Sequence, residues 1–210
     1  KKIPKKYKDK LKNILSKYEI YILEYSVSEK FKSFENVNRL VEKCLFYNLS
    51  RSDILISFGG GIIGDLGAFA ASIIKRGINF INVPSTLLAQ VDSSVGGKTG
   101  VNSKIGKNLI GTFYQPKLVI SDVNLLKSLP KRELVCGYAE ILKHSLILEN
   151  KFFNWLSKYS NQMLINRNLD LLKQAIVKSC KIKLYFVNKD VHEKNIRMIL
   201  NFGHTLAHAI

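Results

Sequence analysis

An apolar run, Asp53-Ile54-Leu55-Ile56-Ser57-Phe58, leads straight into Gly59-Gly60-Gly61-Ile62-Ile63-Gly64-Asp65, and this junction constrains the fold more than any other stretch. A strand apolar on both sides must be covered on both faces, which is the situation of a parallel sheet flanked by helices. The glycines allow a tight turn, and the small residues of Leu66–Lys75 predict a helix that lies close against the sheet. Ile78–Val83 reads as a second buried strand ending at Pro84, and Leu118–Ser121 as a third. Strand, glycine turn, helix and strand together give the α/β rhythm.

Upstream, Tyr18–Leu23 predicts a short strand and Asn36–Leu49 an amphipathic helix, with Val37, Leu40, Val41, Cys44 and Leu45 on one side. The texture changes near Asn124. Beyond it only helical patterns occur, at Arg132–Leu148, Phe152–Tyr159, Leu169–Val187 and Ile196–Ile210. The expectation is a boundary at 122–126, with an α/β unit over 1–124 and a helical unit over 125–210.

Composition bounds the function classes. With 46% hydrophobic residues over 210 positions, the chain has material for a sizeable core, and disorder and low complexity are excluded. No apolar run approaches the ~20 residues that span a bilayer, so no membrane partner is expected. Three widely spaced cysteines, Cys44, Cys136 and Cys180, predict free thiols in a reducing, cytoplasmic setting. The start, Lys1-Lys2-Ile3-Pro4-Lys5-Lys6, lacks both Met and an apolar signal region, and the expectation is a chain that begins inside a longer protein. The net charge is +17, but eight lysines fall between Lys1 and Lys17 on a solvated amphipathic helix. Without a basic-aromatic, zinc-finger or helix-turn-helix pattern, that charge argues for anionic small substrates rather than nucleic acid.

Three groups of residues carry chemistry. The glycine turn aims backbone N–H groups at a helix N-terminus, where phosphate is favoured, and Pro84-Ser85-Thr86 brings hydroxyls to the next strand end. Val95-Gly96-Gly97-Lys98-Thr99-Gly100 imitates a P-loop but fails the pattern. Asp92 stands where the first glycine must be, and its carboxylate would repel a phosphate. What remains is a glycine-loosened loop carrying Asp92, Lys98, Lys107 and Asn108. On a C-terminal helix, Arg197, Asn201, His204 and His208 would form one stripe, and Glu140, Lys143 and His144 share a face of another helix. Glu140 beside His204 offers a mixed N/O donor set for a catalytic divalent ion. His144 and His192 are expected to be structural or solvated, and the thiols inert.

These residues resemble the 3-dehydroquinate synthase family. The resemblance rests on Gly59 to Asp65, Arg76-Gly77, Pro84 to Asn102, Gly106-Lys107-Asn108, Gly137-Tyr138-Ala139-Glu140 and Leu200-Asn201-Phe202-Gly203-His204-Thr205, and runs in order from about Glu29 to Ile210. It implies an α/β Rossmann-like dinucleotide-binding domain followed by an all-α metal-binding domain, in a homodimer. It implies NAD held by Glu29, Lys32, Gly60, Gly61, Ile62, Asp65, Ser85, Thr86, Lys107 and Ser128. A divalent metal, zinc or cobalt, would sit on Glu140, His204 and a further His beyond Ile210. Lys98, Lys143, Asn201 and His208 would be catalytic, with Asp92, Asn108, Lys183 and Arg197 around the substrate and Arg76 reaching the neighbouring subunit's substrate phosphate.

The implied reaction converts 3-deoxy-D-arabino-heptulosonate 7-phosphate to 3-dehydroquinate and phosphate, in the shikimate pathway of aromatic amino-acid biosynthesis. Another sugar-phosphate cyclase on the same scaffold is the alternative. A polyol dehydrogenase and a basic non-catalytic binding module are remoter rivals. The chain departs from the family pattern at Ala68 and Ala207 (usually Gly), Ser85 (usually Thr), Val191 (usually Glu) and Asn195 (usually Gly). None of these removes a group given a catalytic role. The family's first strand and helix have no counterpart here, and the chain reads as a fragment of a longer enzyme.

Overall fold

The computed structural model describes residues 3–26 and 28–203. Its sheet has three parallel strands, β1 (Ile54–Gly59), β2 (Asn79–Pro84) and β3 (Leu118–Val119), in that spatial order. β1 and β2 pair from Ile54↔Asn79 to Gly59↔Pro84. Parallel neighbours need a long crossover, here the helix Gly61–Ile73. A more N-terminal helix, α1, spans Lys5–Ile14, α2 spans Phe34–Phe46, and the crossover helix is α3.

α3 begins five residues earlier than its sequence pattern predicts, because Gly60 adopts an extended N-cap conformation and the helix starts at once. Its buried residues, Gly64 and Leu66 through Ala71, run right round the helix, which is enclosed on all sides along that stretch. A Cβ on Gly67 would lie 1.8 Å from Ser57 Oγ of β1, so this position admits no side chain. α2 closes the same core with Val37 and Cys44, and is capped by Ser33, which accepts from Asn36 N.

After β3 the described elements are helical. α4 spans Lys131–Leu148, α5 Asn150–Leu164 and α6 Leu169–Lys189, followed by a 3₁₀ turn at Ile196–Asn201. Asn168 caps α6, its Oδ1 accepting from Asp170 N and Leu171 N. The helices enclose a core of Leu134, Tyr138, Ile141, Phe152, Leu156, Leu172, Ile176 and Phe186. Leu87 and Val91, from the segment that leaves β2, are fully buried in that same core. They pin the end of the sheet to the helices.

Two sequence expectations are corrected. Residues 19–26 form no strand. Tyr21 stacks on Tyr47 with ring centroids 4.0 Å apart, and Ile20, Tyr21 and Ile22 remain exposed. Aromatic packing against the end of α2 replaces sheet pairing there. The expected α-helix from Ile196 is a 3₁₀ turn. It stops at Phe202 (ψ 129°) and Gly203 (φ +81°), so Arg197 and Asn201 do not begin a continuous α-helical stripe. His204 and His208 lie outside the described residues. Among the described residues, no helix is long and apolar enough to cross a membrane. The three cysteines are free thiols, as expected.

Candidate active site

Two groups of side chains converge where the strands end. The first surrounds the N-terminus of α3. Ser85 N donates to Gly59 O at 2.7 Å, tying the two strand ends together, and no side chain caps α3 among the described residues. A Cβ on Gly60 would meet Thr86 Cγ2 at 3.3 Å, and one on Gly61 would meet Ser93 Oγ at 3.0 Å. The glycines keep this turn free of side chains that would crowd Thr86 and Ser93, and its N–H groups, uncapped by any side chain, are a favourable seat for an anionic group. A cleft of about 340 Å³ adjoins it, lined by Ser85, Thr86, Ser128, Leu125, Leu129 and Pro130 with Ile3 and Pro4. This combination of bare helix N-terminus, hydroxyls and apolar wall fits part of a dinucleotide.

Lys32 organises the far side of this region. It is buried, and its Nζ donates to Asp65 Oδ2 and Asn108 Oδ1, both at 2.5 Å. Burial raises the Asp65 pKa, and Lys32 opposes that shift by charge and hydrogen bond. Asn102 extends the network, donating to Glu29 Oε1 at 2.8 Å and accepting from Asn108 N at 3.0 Å. Asn108, expected beside substrate, thus joins Glu29, Lys32 and Asp65. Asn102 was given no role from sequence. Lys107 is exposed, and Ile62 packs beside the sheet core.

The second group lies where the segment after β2, α4 and α6 meet. Ala89–Ser93 forms a π-turn, a local widening that often accompanies function. Gln90 fixes it from within the core, donating to Pro84 O at 3.2 Å and Asp122 O at 3.0 Å. The turn delivers Asp92 to Lys183 of α6, whose Nζ donates to Asp92 Oδ1 at 2.5 Å and Asp92 O at 2.6 Å. Burial alone would raise the Asp92 carboxyl. Lys183, with Lys143 behind it, outweighs that and holds it at about 2.

On α4, Glu140 pairs with Lys143 one turn on, and one oxygen each of Asp92 and Glu140 lies within 4.8 Å of a ring nitrogen of His144. Two carboxylates and an imidazole fit a divalent cation. His144 Nε2 is buried without a hydrogen-bond partner among the described residues, and the buried Glu140 Oε2 has only its ion pair with Lys143. Of the two alternatives expected for His144, structural or solvated, the structure rules out the solvated one and places the ring beside Asp92 and Glu140. Its Nδ1 is 2.7 Å from Ser179 Oγ on α6, and burial pushes the imidazole down to about 4, leaving it neutral at pH 7. Only the i, i+4 spacing from Glu140 signalled this in the sequence.

Lys98 and Arg197 close the cluster. Arg197 is almost wholly buried and donates to Val191 O at 2.5 Å and Gly96 O at 3.0 Å, clamping the glycine loop to the segment after α6. Gly96 has φ +105°, and a Cβ there would lie 2.4 Å from Arg197 Nη2. Asp190 accepts from the backbone of Lys194, Asn195 and Arg197 and shapes that segment. Lys98 is half exposed and pairs with Glu193, which also accepts from Asn201 Nδ2 at 2.8 Å. Burial, then the charges of Arg197 and Lys183, push Lys98 down to about 8. Gln90, Ser179, Asp190 and Glu193 carried no signal of their own in the sequence. Arg76 stands exposed on the turn after α3, with φ +68°.

Residues 22–136 match the family model "3-dehydroquinate synthase N-terminal", and 137–210 match "3-dehydroquinate synthase C-terminal". The 3-dehydroquinate synthase of Pelagibacter ubique (strain HTCC1062) is 56% identical over 210 residues, covering 100% of this chain and 56% of that protein. A 2-epi-5-epi-valiolone synthase from Streptomyces hygroscopicus subsp. jinggangensis, solved with NAD+ and Zn2+ bound, superimposes with a TM-score of 0.90 at 26% identity, over 95% of this chain and 57% of that one. A 2-deoxy-scyllo-inosose synthase complexed with carbaglucose-6-phosphate, NAD+ and Co2+ gives 0.86 at 29% identity, over 99% and 57%. The chain spans little more than half the length of these relatives. With the two family models matching adjoining stretches that together cover residues 22–210, and with the site residues converging as described, the chain belongs to the 3-dehydroquinate synthase family.

Proposed function

We propose that this chain forms the core of a 3-dehydroquinate synthase, a phosphate-eliminating carbon–oxygen lyase. The observation that carries the reading is the juxtaposition of two sites. A metal-competent set at Asp92, Glu140 and His144, ringed by Lys98, Lys143 and Lys183, is built on α4 and on the π-turn, and that turn's Ser93 also faces the N-terminus of α3. Identity of 56% to a dehydroquinate synthase, against 26–29% to the two cyclases for other sugars, favours the heptulosonate phosphate as substrate.

In this reading the α/β unit over 1–124 is Rossmann-like and takes NAD. Gly60, Gly61 and Ile62 offer backbone, Ser85, Thr86 and Ser128 hydroxyls, and Glu29, Lys32, Asp65 and Lys107 the flanking polar groups. The helical unit over 125–210 takes zinc or cobalt on Glu140 and His204, with a further His beyond Ile210. When bound, NAD accepts a hydride and returns it, and the ion acts as a Lewis acid on the reacting hydroxyl. The protein's part is placement and charge. Lys98 and Lys183 bind the substrate's anionic groups, Arg197 holds the loop that carries Lys98, and Asp92, already ionised, accepts a substrate hydroxyl proton in a hydrogen bond. Lys143 waits beside Glu140 as a charge that the substrate's oxygens can take up. Asn201 and His208 orient and relay the proton of the oxidised hydroxyl. Arg76 extends to a partner subunit's phosphate in a cytoplasmic homodimer.

The test is product identity. The full chain, supplied with NAD and Co2+, is given 3-deoxy-D-arabino-heptulosonate 7-phosphate, and a heptulose phosphate or glucose 6-phosphate in parallel. The reading expects 3-dehydroquinate and phosphate from the first alone. Turnover of either other sugar instead would assign the chain to a different cyclase.

A further inference from the structure

His144 is counted in the metal-competent cluster above but is given no task in the proposed reaction, yet it is fully buried at the point where α4, α6 and the π-turn meet. A buried histidine that merely fills space has both ring nitrogens satisfied. Here Nδ1 is engaged by Ser179 of α6 at 2.7 Å, Nε2 has no hydrogen-bond partner among the described residues, and a ring nitrogen of His144 lies within 4.8 Å of a carboxylate oxygen of both Asp92 and Glu140; with Nδ1 committed to Ser179, Nε2 is the nitrogen left to serve them. The two lysines nearby are engaged elsewhere, Lys183 on Asp92 and Lys143 on Glu140.

The tautomer follows from the surroundings. A neutral imidazole carries one N–H and one lone pair. A lone pair at Nε2 would face two carboxylates and be repelled, whereas an N–H there faces two acceptors. Ser179 must then donate its hydroxyl to Nδ1, which leaves the proton on Nε2. Glu140 and His144 are four residues apart on α4, so their side chains share one face.

We propose that His144, held by Ser179, is a positioning residue whose Nε2–H fixes the orientation in which Glu140, beside Asp92, receives a divalent cation. The inference rests on the proposal that Glu140 holds the ion. It differs from the ligand set implied for the family in that His144 touches a carboxylate and not the ion. A donor of this kind sharpens a ligand's direction and basicity, and its loss costs about 10–100-fold in metal affinity.

The experiment uses the full chain with NAD and measures Co2+ affinity by chelator competition, together with the visible absorption of the bound cobalt. His144→Leu removes both nitrogens, His144→Gln keeps an N–H near the Nε2 position, and His144→Asn keeps a polar group only near Nδ1. His144→Leu is expected to weaken Co2+ binding about 10–100-fold and to shift the cobalt band. His144→Gln recovers most of that loss, His144→Asn does not, and Ser179→Ala falls between. A folded His144→Leu with unchanged affinity and spectrum overturns the inference. So do Gln and Asn variants of equal affinity, which decide the matter even where the Leu variant fails to fold. Glu140→Ala separates the two proposals. If it retains Co2+, the assignment of Glu140 to the metal fails. If it loses Co2+ while His144→Leu keeps it, only the role of His144 falls.

Discussion

Gly137→Ala reverses the usual helix rule, and the reversal measures how tightly the two halves of the site are set against each other. Gly137 is buried in α4, three residues before Glu140. On an unencumbered helix the change would stabilise by about 1 kcal/mol. Here the new methyl would lie 2.5 Å from Leu88 N, 2.6 Å from Leu87 Cβ and 2.7 Å from Leu87 C, and the backbone atoms among them cannot swing aside. Relief to an ordinary contact needs about 1 Å of separation between α4 and the segment that carries the π-turn. Overpacking of this kind costs about 1–3 kcal/mol. Three contacts under 3.0 Å, two of them to backbone, put the cost in the upper half of that range, about 2–3 kcal/mol, so net of the propensity gain about 1–2 kcal/mol of destabilisation remains, a fall in Tm of about 2–8 °C for a chain of this size. The same displacement draws Glu140 and His144 away from Asp92, and misplacement by about 1 Å is worth about 100-fold in rate. Gly106→Ala is the control, because its Cβ would meet only the flexible end of Leu109 at 3.1 Å. Thermal melts and phosphate release on both variants make the comparison. An unchanged or raised Tm for Gly137→Ala with full turnover would refute the packing argument.

Other outcomes follow from the same geometry. Glu140→Ala and His204→Ala should each abolish turnover and leave NAD affinity, read by fluorescence titration, largely intact. Equal loss of both from a folded variant would contradict two separate sites. Lys98 is charged below its depressed pKa of about 8 and neutral above it, so KM for the anionic substrate should be flat at lower pH and climb as pH passes about 8. Lys98→Arg should remove that limb, since guanidinium stays protonated; a limb unchanged in the Arg variant assigns it to another group. Lys32→Met leaves the Asp65 carboxylate, with 19% of its side chain exposed, without its cation. Losing one partner of such a pair costs about 3 kcal/mol; calorimetry should show a lower Tm and weaker NAD binding, and Lys32→Arg should restore part of both.

Where the chain's periodicity was strong, the fold was legible. The strand at 54–59 and the helix at 169–189 follow from apolar runs and helical spacing, and small residues of α3 announce its close approach to the sheet. The strand expected at 18–23 failed because alternation of apolar residues says nothing of whether a partner strand is within reach. The turn at Ile196–Asn201 failed for a related reason. A helical pattern cannot show that Asp190 gathers three backbone N–H groups and bends the segment. Within the site, Asp92, Glu140, Lys98 and Lys183 were accessible through the family's motifs, whereas Gln90 and Ser179 act on partners 32 and 35 residues distant in sequence. The role of His144 depends on α6 passing behind α4, a tertiary fact with no local signature.

The proposed redox cycle closes on itself, so counting phosphate against cofactor tests it without an intermediary. The full chain, loaded with Co2+, is given the heptulosonate phosphate in tenfold excess over NAD, and released phosphate and nicotinamide absorbance are followed together. The account predicts many phosphates per NAD, ending near the substrate added, with no accumulated NADH. Phosphate that stops at one per NAD, or NADH that rises with it, would contradict it.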